Sequence, residues 1–169
     1  MDADDLVFEA KGNDEWRHNR QRPSQIKVGK GYIWVCGEDD VTADFLRSLW
    51  RDDDATGPLV VTCKDARVPS VNRACQDVLG SDPLFFNIGF APDREGRFTK
   101  VYGAIQGALD TARHVILHCR AGVHRAALAA TFVLMLARGE SFAAARACLE
   151  NVRRVKLKQI IEPQRNKYG

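Results

Sequence analysis

A cysteine followed six residues later by an arginine is the pattern in this sequence that most directly suggests chemistry. Cys119 ends a short apolar run, Arg125 opens an Ala- and Leu-rich run, and Gly122 lies between them. Gly122 permits a loop whose backbone N–H groups turn inward, and such a loop at a helix N-terminus binds tetrahedral oxyanions. The guanidinium of Arg125 can hold two phosphate oxygens, and the same positive field favours thiolate over thiol. These residues therefore indicate an ionised nucleophile, Cys119, held against a bound phosphoryl group.

Short β-rich runs alternate with amphipathic runs along the chain, and this order predicts how the loop is positioned. Strands are expected over 32–36, 59–63, 84–88 and 114–118, and helices over 42–51, 71–79, 98–112, from the loop to about 137, and after Ser141. The alternation predicts a single α/β domain with a central, mainly parallel sheet of four to five strands flanked by helices. Ligands bind beyond the carboxyl ends of such strands, so strand 114–118 would place Cys119 at the ligand-binding edge.

Length and composition predict one globular domain with extensions at both ends. The chain has 169 residues, of which 45% are hydrophobic and 28% charged. We expect an N-terminal arm over 1–27, the domain over 28–160 and a basic C-terminal tail over 161–169. The net charge of +3 does not indicate bulk binding of nucleic acid.

The sequence also bears on location and on metal binding. No apolar run is long enough for a transmembrane segment, and no secretory signal is visible, which predicts a cytoplasmic or nuclear protein. The five cysteines are widely spaced and odd in number, which argues against a disulfide framework and against a structural zinc site.

The segment His118-Cys119-x-x-Gly122-x-x-Arg125 resembles the H-C-x5-R signature of the cysteine-dependent protein phosphatases. The order of elements over about 28–160 resembles their compact dual-specificity branch. The resemblance implies that Cys119 takes the phosphoryl group as a phosphocysteine, which water then hydrolyses, without a metal ion or organic cofactor. It also implies that His118 holds the loop through hydrogen bonds. The substrate-binding residues would be Arg120, Ala121, Gly122, Val123, His124 and Arg125.

The leaving group needs a proton, and the resemblance implies an aspartate on the loop after the third strand. Asp93, in the sequence Pro92-Asp93, is the expected general acid of the first step and the base for water in the second. The alternative interpretation is a solvated turn residue, which Pro-Asp often is. Glu95 and Asp82 are the other candidates for the acid.

Ala126 departs from the family pattern, in which many members have Ser or Thr directly after the arginine. That hydroxyl steadies the departing thiolate in the second step. Its absence predicts slow turnover and keeps open a second class of function, a module that captures phosphorylated ligands. A third class, sulfur transfer on a similar loop, is disfavoured because it needs no general acid.

The substrate class is less sharply indicated. A compact domain implies a shallow pocket that accepts phosphoserine and phosphothreonine as well as phosphotyrosine in proteins. Arg120 and His124 add positive character, which leaves phosphoinositides, inositol phosphates and RNA 5′-phosphates open as small-molecule or RNA substrates.

Two further features have a functional and a structural interpretation. Cys63, or secondly Cys36, is a candidate redox partner that could form a reversible disulfide with Cys119, as in some relatives; a buried core cysteine is the simpler interpretation. The basic run from Arg153 to Lys158 could contact an acidic partner, or could be a solvated helix face.

Overall fold

The computed structural model describes residues 21–50, 56–86, 97–155 and 157. The strands are β1 (Ser24–Val28), β2 (Gly31–Gly37), β3 (Leu59–Thr62), β4 (Leu84–Phe85) and β5 (His114–Cys119). The helices are α1 (Ala43–Ser48), α2 (Pro69–Leu79), α3 (Arg97–Asp110), α4 (Arg125–Arg138) and α5 (Phe142–Glu150), with a 3-10 turn over Glu38–Asp40.

The five strands form one sheet in the order β1-β2-β5-β3-β4, and β1 alone runs antiparallel to its neighbour. The predicted α/β class with a mainly parallel sheet is therefore confirmed. β1 includes residues 24–27, which the sequence analysis assigned to the N-terminal arm. Ile26 and Val28 are buried between exposed neighbours, and this alternation with period two is what places them in the sheet.

The side chains of the sheet alternate between two apolar cores, one on each face. The larger core joins the strands to α3, α4 and α5, and it includes Cys63 and Cys119. The smaller core joins them to α1 and α2, and it includes Cys36. The alternation thus separates cysteines that lie at the same edge of the sheet.

The predicted helix ends agree with the structure where hydrogen bonds and backbone angles define them. Thr42 Oγ1 accepts the N–H of Phe45 at 3.2 Å, which caps α1. Ser141 Oγ likewise caps α5 through the N–H of Ala144 at 3.1 Å. Gly80 and Gly139 end α2 and α4 with φ of +72° and +66°.

Some expectations fall outside the described residues. The structure places β4 at Leu84–Phe85 and Phe86 directly after it, outside the strand; residues 87 and 88 of the strand expected over 84–88 and most of the following loop are not described. Across the described part of the chain, no helix combines the length and the apolar character that a membrane span requires.

Candidate active site

Cys119 is the last residue of the central strand β5, and it lies at the carboxyl edge of the parallel sheet. Gly37 at the end of β2 pairs with Cys119, and Thr62 at the end of β3 pairs with His118. The side chain of Cys119 is buried, and Arg125 is the first residue of α4. The predicted strand, loop and helix therefore occur in the predicted order at the predicted edge.

Three consecutive carbonyl groups of the loop after Cys119 accept hydrogen bonds from residues outside the loop. The Arg120 carbonyl accepts the N–H of Glu38 at 3.2 Å. The Ala121 carbonyl accepts Arg153 Nη2 at 3.0 Å, and the Gly122 carbonyl accepts Arg153 Nε at 2.7 Å. In a planar trans peptide the N–H points opposite to the C=O, so the next N–H groups face the other side of the loop.

One of these N–H groups has a visible partner inside the loop. Gly122 N donates to Cys119 Sγ at 3.3 Å. The same kind of inward donor could also bind the oxygen of an oxyanion placed in the loop. The loop therefore presents backbone N–H groups toward the Cys119 sulfur and toward a potential ligand.

Gly122 is required at its position for two reasons. Its φ is +70°, a left-handed conformation that favours glycine. A Cβ atom there would lie 2.5 Å from the carbonyl carbon of Cys36 and 2.6 Å from Arg153 Nη2. Both the backbone angle and the packing therefore exclude other residues, as the sequence analysis expected for the angle.

Arg125 lies at the carboxyl edge of the sheet, and one of its N–H donors has no acceptor among the described residues. Its Nη1 lies 3.4 Å from Asp65 Oδ1, and its side chain is 15% exposed against 75% for Asp65. Its Nε is buried and has no hydrogen-bond acceptor among the residues that the structure describes. Because a buried N–H without an acceptor is costly, this atom indicates where an oxyanion would be bound.

His118 is fully buried directly before Cys119. Its Nε2 pairs with Thr62 Oγ1 at 2.7 Å, and its carbonyl accepts the N–H of Cys63 at 2.8 Å. Burial lowers the pKa of His118 to about 4, although hydrogen bonding of the ring to the backbone of Cys119 acts in the opposite direction. His118 is therefore a neutral residue at pH 7 that ties β5 to β3.

His118 binds a proton less readily in the folded state than in the unfolded state. We therefore expect the free energy of unfolding to decrease as the pH is lowered from 6.5 to about 4. Above pH 6.5 this contribution of His118 is fully present, and at pH values below the folded pKa about 3 kcal/mol of it has been lost. His118→Gln should lose correspondingly less stability than the wild type between pH 7 and pH 4. Urea unfolding of both proteins at the two pH values measures this difference, and equal pH dependences would contradict it.

The remaining loop side chains divide by exposure. Arg120 is exposed, whereas Val123 and His124 are buried. Of these three predicted substrate-binding residues, Arg120 is therefore the one at the surface. Ala126, in the first turn of α4, is completely buried.

Of the three candidates for the general acid, the structure describes Asp82. Asp93 and Glu95 lie outside the described residues. Asp82 precedes β4 and lines a cavity of about 410 Å³ together with Arg113, which precedes β5. This cavity is at the amino-terminal edge of the parallel strands, opposite Cys119. Asp82 was therefore a wrong candidate, because it lies before its strand and not after it.

Sequence reasoning missed the role of Arg153. The basic run was expected to contact an acidic partner or solvent, yet Arg153 is only 3% exposed and binds the loop. Burial lowers its pKa, while the nearby Cys36 and Cys119 act to raise it. Arg154 is exposed, and Lys156 and Lys158 lie outside the described residues. No local pattern distinguishes Arg153 from its basic neighbours.

Asp65 was also missed, although a signal for it exists. Asp65 lies three residues after the end of β3. Ligands bind beyond the carboxyl ends of parallel strands, and this principle, which pointed to the loop after β5, points equally to Asp65. Lys64 and Glu38 form a further ion pair at 2.7 Å between the segments that follow β3 and β2. Charged groups thus follow the ends of the three strands β2, β3 and β5 at the edge where Cys119 lies.

Known structures share this architecture. The crystal structure of Cydia pomonella PTP-2 phosphatase superposes with a TM-score of 0.64 at 20% identity, covering 82% of this chain and 84% of that one. Human DUSP28 gives 0.60 at 15% identity, with 82% and 86% covered. Human tyrosine phosphatase-like serine/threonine/tyrosine-interacting protein gives 0.56 at 15% identity, with 82% and 89% covered.

Sequence comparison is less informative than these superpositions. No protein-family model matches the chain, and no curated protein sequence matches it. The structural agreement nevertheless extends over most of both chains in each pair. The chain therefore has the fold of the dual-specificity and protein-tyrosine phosphatases.

Proposed function

We propose that this protein is a cysteine-dependent phosphatase that hydrolyses phosphomonoesters on Cys119. The observation that carries the proposal is the orientation of the loop. Its carbonyls are held from outside, Gly122 N–H points at the Cys119 sulfur, and Arg125 Nε is buried beside them without an acceptor among the described residues. Such a set of preorganised donors stabilises the equatorial oxygens of a phosphoryl group in transfer.

In the first step the Cys119 thiolate attacks phosphorus and the bond from phosphorus to the ester oxygen breaks. The phosphoryl group is then covalently bound to sulfur, and the leaving alkoxide or phenoxide takes a proton. We assign Asp93 to this proton transfer on the family resemblance. In the second step water attacks phosphorus, the phosphorus–sulfur bond breaks, and inorganic phosphate leaves while Asp93 accepts the proton from water.

Phosphorylated proteins are the substrates that we propose first, carrying phosphotyrosine, phosphoserine or phosphothreonine. Arg120 at the surface suits acidic sequences around the phosphorylated residue. Phosphoinositides, inositol phosphates and RNA 5′-phosphates share the phosphomonoester and are the alternatives. Phosphate release from equal concentrations of these substrates would rank them.

A slow-turnover binding module is the alternative function, and Ala126 favours it because no hydroxyl follows Arg125. One structural neighbour is itself described as a phosphatase-like interacting protein. Time courses with p-nitrophenyl phosphate separate the two functions. A single stoichiometric burst of nitrophenol would support the binding module, and continuous release of nitrophenol and phosphate would support the enzyme.

The same assay tests the importance of the missing hydroxyl. Ala126→Ser should accelerate the steady phase without changing the burst, because the hydroxyl helps the thiolate to leave phosphorus. Ala129→Ser introduces the same group at another buried alanine of α4 and serves as the control. An unchanged steady rate in Ala126→Ser would show that loss of the hydroxyl does not limit turnover here.

Cys63 remains a proposed redox partner for Cys119, and the sheet favours it over Cys36. Cys63 follows Thr62, which pairs with His118, so Cys63 and Cys119 are adjacent in register and share the larger core. Cys36 faces the smaller core. Peroxide would convert the Cys119 thiolate to a sulfenic acid, and the Cys63 thiol would displace water to give the disulfide.

We expect mild peroxide to give a Cys63–Cys119 disulfide and reversible inactivation. Cys63→Ser should instead oxidise irreversibly, whereas Cys36→Ser should behave as the wild type. Peptide mapping by mass spectrometry identifies the bond. A Cys36–Cys119 bond, or no cross-link to Cys119, would contradict the proposed pairing.

A further inference from the structure

We propose that Arg153 is a positioning residue that orients the phosphate-binding N–H groups of the loop through their carbonyls. This inference rests on the proposed function, because it assigns a role within the same site. Arg153 follows α5 and lies 31 residues after Gly122 in the chain, so its contact with the loop is a tertiary contact.

Four of the five N–H groups of the Arg153 guanidinium bind protein acceptors. Nε binds the Gly122 carbonyl and Nη2 the Ala121 carbonyl. Nη1 binds the Arg22 carbonyl at 2.8 Å and Ser24 Oγ at 3.1 Å. The side chain is 3% exposed. Arg153 is therefore placed to act on a phosphoryl group through the loop, and Arg125 is the arginine with a buried donor to spare.

Because each peptide unit is planar, a contact that fixes its carbonyl also fixes the direction of its N–H group on the opposite side of the loop. The Ala121 carbonyl and the Gly122 N–H belong to one plane, with Arg153 at one end and Cys119 Sγ at the other. The next plane joins the Gly122 carbonyl, bound to Arg153, to the Val123 N–H. By holding both carbonyls, Arg153 prevents either plane from turning its oxygen toward a bound oxyanion.

The charge of Arg153 adds to this orientation. A cation on the carbonyl oxygen polarises the peptide, which makes its N–H a stronger donor. In a buried site this polarisation is weakly screened. Arg153 thus contributes to thiolate and oxyanion binding while it touches neither.

The competing interpretation is that Arg153 only ties the segment before β1 to the segment after α5. Ser24 Oγ also donates to the Val152 carbonyl at 3.2 Å, and Gln21 exchanges two hydrogen bonds with the backbone of Arg154. These contacts stabilise the fold without touching the loop. A variant of Arg153 itself and a variant of its partner on the side away from the loop distinguish positioning of the loop from stabilisation of the fold.

The test compares Arg153→Lys and Arg153→Met with two controls. Ser24→Ala removes an acceptor of Arg153 on the side away from the loop, and Arg154→Met removes the same charge from an exposed neighbour. For each protein the measurements are kcat and KM with p-nitrophenyl phosphate, the affinity for inorganic phosphate from the ¹⁵N shift of the Gly122 amide, and the thermal midpoint.

Arg153→Lys keeps a charge but cannot reproduce the planar fork that holds two carbonyls. We expect its kcat to fall about 100-fold and its affinity for inorganic phosphate about 10-fold, with the fold retained. Arg153→Met should lose at least as much. Ser24→Ala and Arg154→Met should remain within about threefold of the wild type in both quantities.

Near-wild-type kcat and phosphate affinity in a folded Arg153→Lys would overturn the inference, as would an equal loss in Ser24→Ala. If Arg153→Met does not fold, Arg153→Lys and Ser24→Ala still decide. Failure of the proposed function has a different signature. The wild type would then release no phosphate from any phosphomonoester, while phosphate binding and its dependence on Arg153 would still be measurable at Gly122.

Discussion

Cys119→Ser is expected to lose phosphomonoester turnover by a factor on the order of 10⁴ or more. A serine hydroxyl is not ionised at neutral pH and is a much weaker nucleophile than a thiolate. The neighbouring His118 is buried, and its Nε2 pairs with Thr62 Oγ1, so that nitrogen is not available as a base. Steady-state release of phosphate from a phosphotyrosine peptide measures the loss.

The same variant should still bind phosphorylated ligands, because the loop donors and Arg125 are unchanged. Isothermal titration with the phosphotyrosine peptide tests this expectation. Cys148→Ser, in α5 and only partly buried, is the matched control and should turn over normally. Turnover of Cys119→Ser within about tenfold of the wild type would exclude a covalent intermediate on this sulfur.

Arg125→Lys is expected to lower kcat by about 10³-fold, with a smaller effect on KM. Lysine retains the charge but offers no planar pair of donors for two phosphoryl oxygens. Its ammonium also cannot reproduce Arg125 Nε, the buried donor that lacks an acceptor among the described residues. The transition state therefore loses more stabilisation than the substrate complex does.

Steady-state kinetics and vanadate inhibition measure this change, since vanadate mimics five-coordinate phosphorus. Arg138→Lys, at the other end of α4, controls for a general effect of the substitution on the helix. A fall in kcat of less than about tenfold would mean that Arg125 does not contact the transferring group.

The loop after Cys119 could be predicted from sequence because its determinants are local. Cys119, Gly122 and Arg125 lie within seven residues, and the strand and helix around them follow from short-range patterns. The alternation of strands and helices likewise predicted a parallel sheet, and strand ends then located the site.

What the sequence did not reveal depends on contacts between distant segments. Arg153 is identical in type to Arg154, and only the packing of the segment after α5 against the loop distinguishes them. Residues 24–27 of β1 were assigned to the arm, and their pairing with β2 is a contact between segments that places them in the sheet. Asp65 follows β3 and Asp82 precedes β4, so the two residues lie at opposite edges of the parallel sheet. The sequence separates them only when the direction of each strand is taken into account.

The shared contact of Arg153 with the loop and with Arg22 has a practical consequence for truncation. A shortened protein that begins at Val28 would retain the four parallel strands but lack the carbonyl of Arg22 and the hydroxyl of Ser24. Its guanidinium at 153 would then have two unsatisfied donors beside the loop that follows Cys119. Expression boundaries should therefore be placed before Gln21, since a trimmed domain could be well folded while this loop is wrongly oriented.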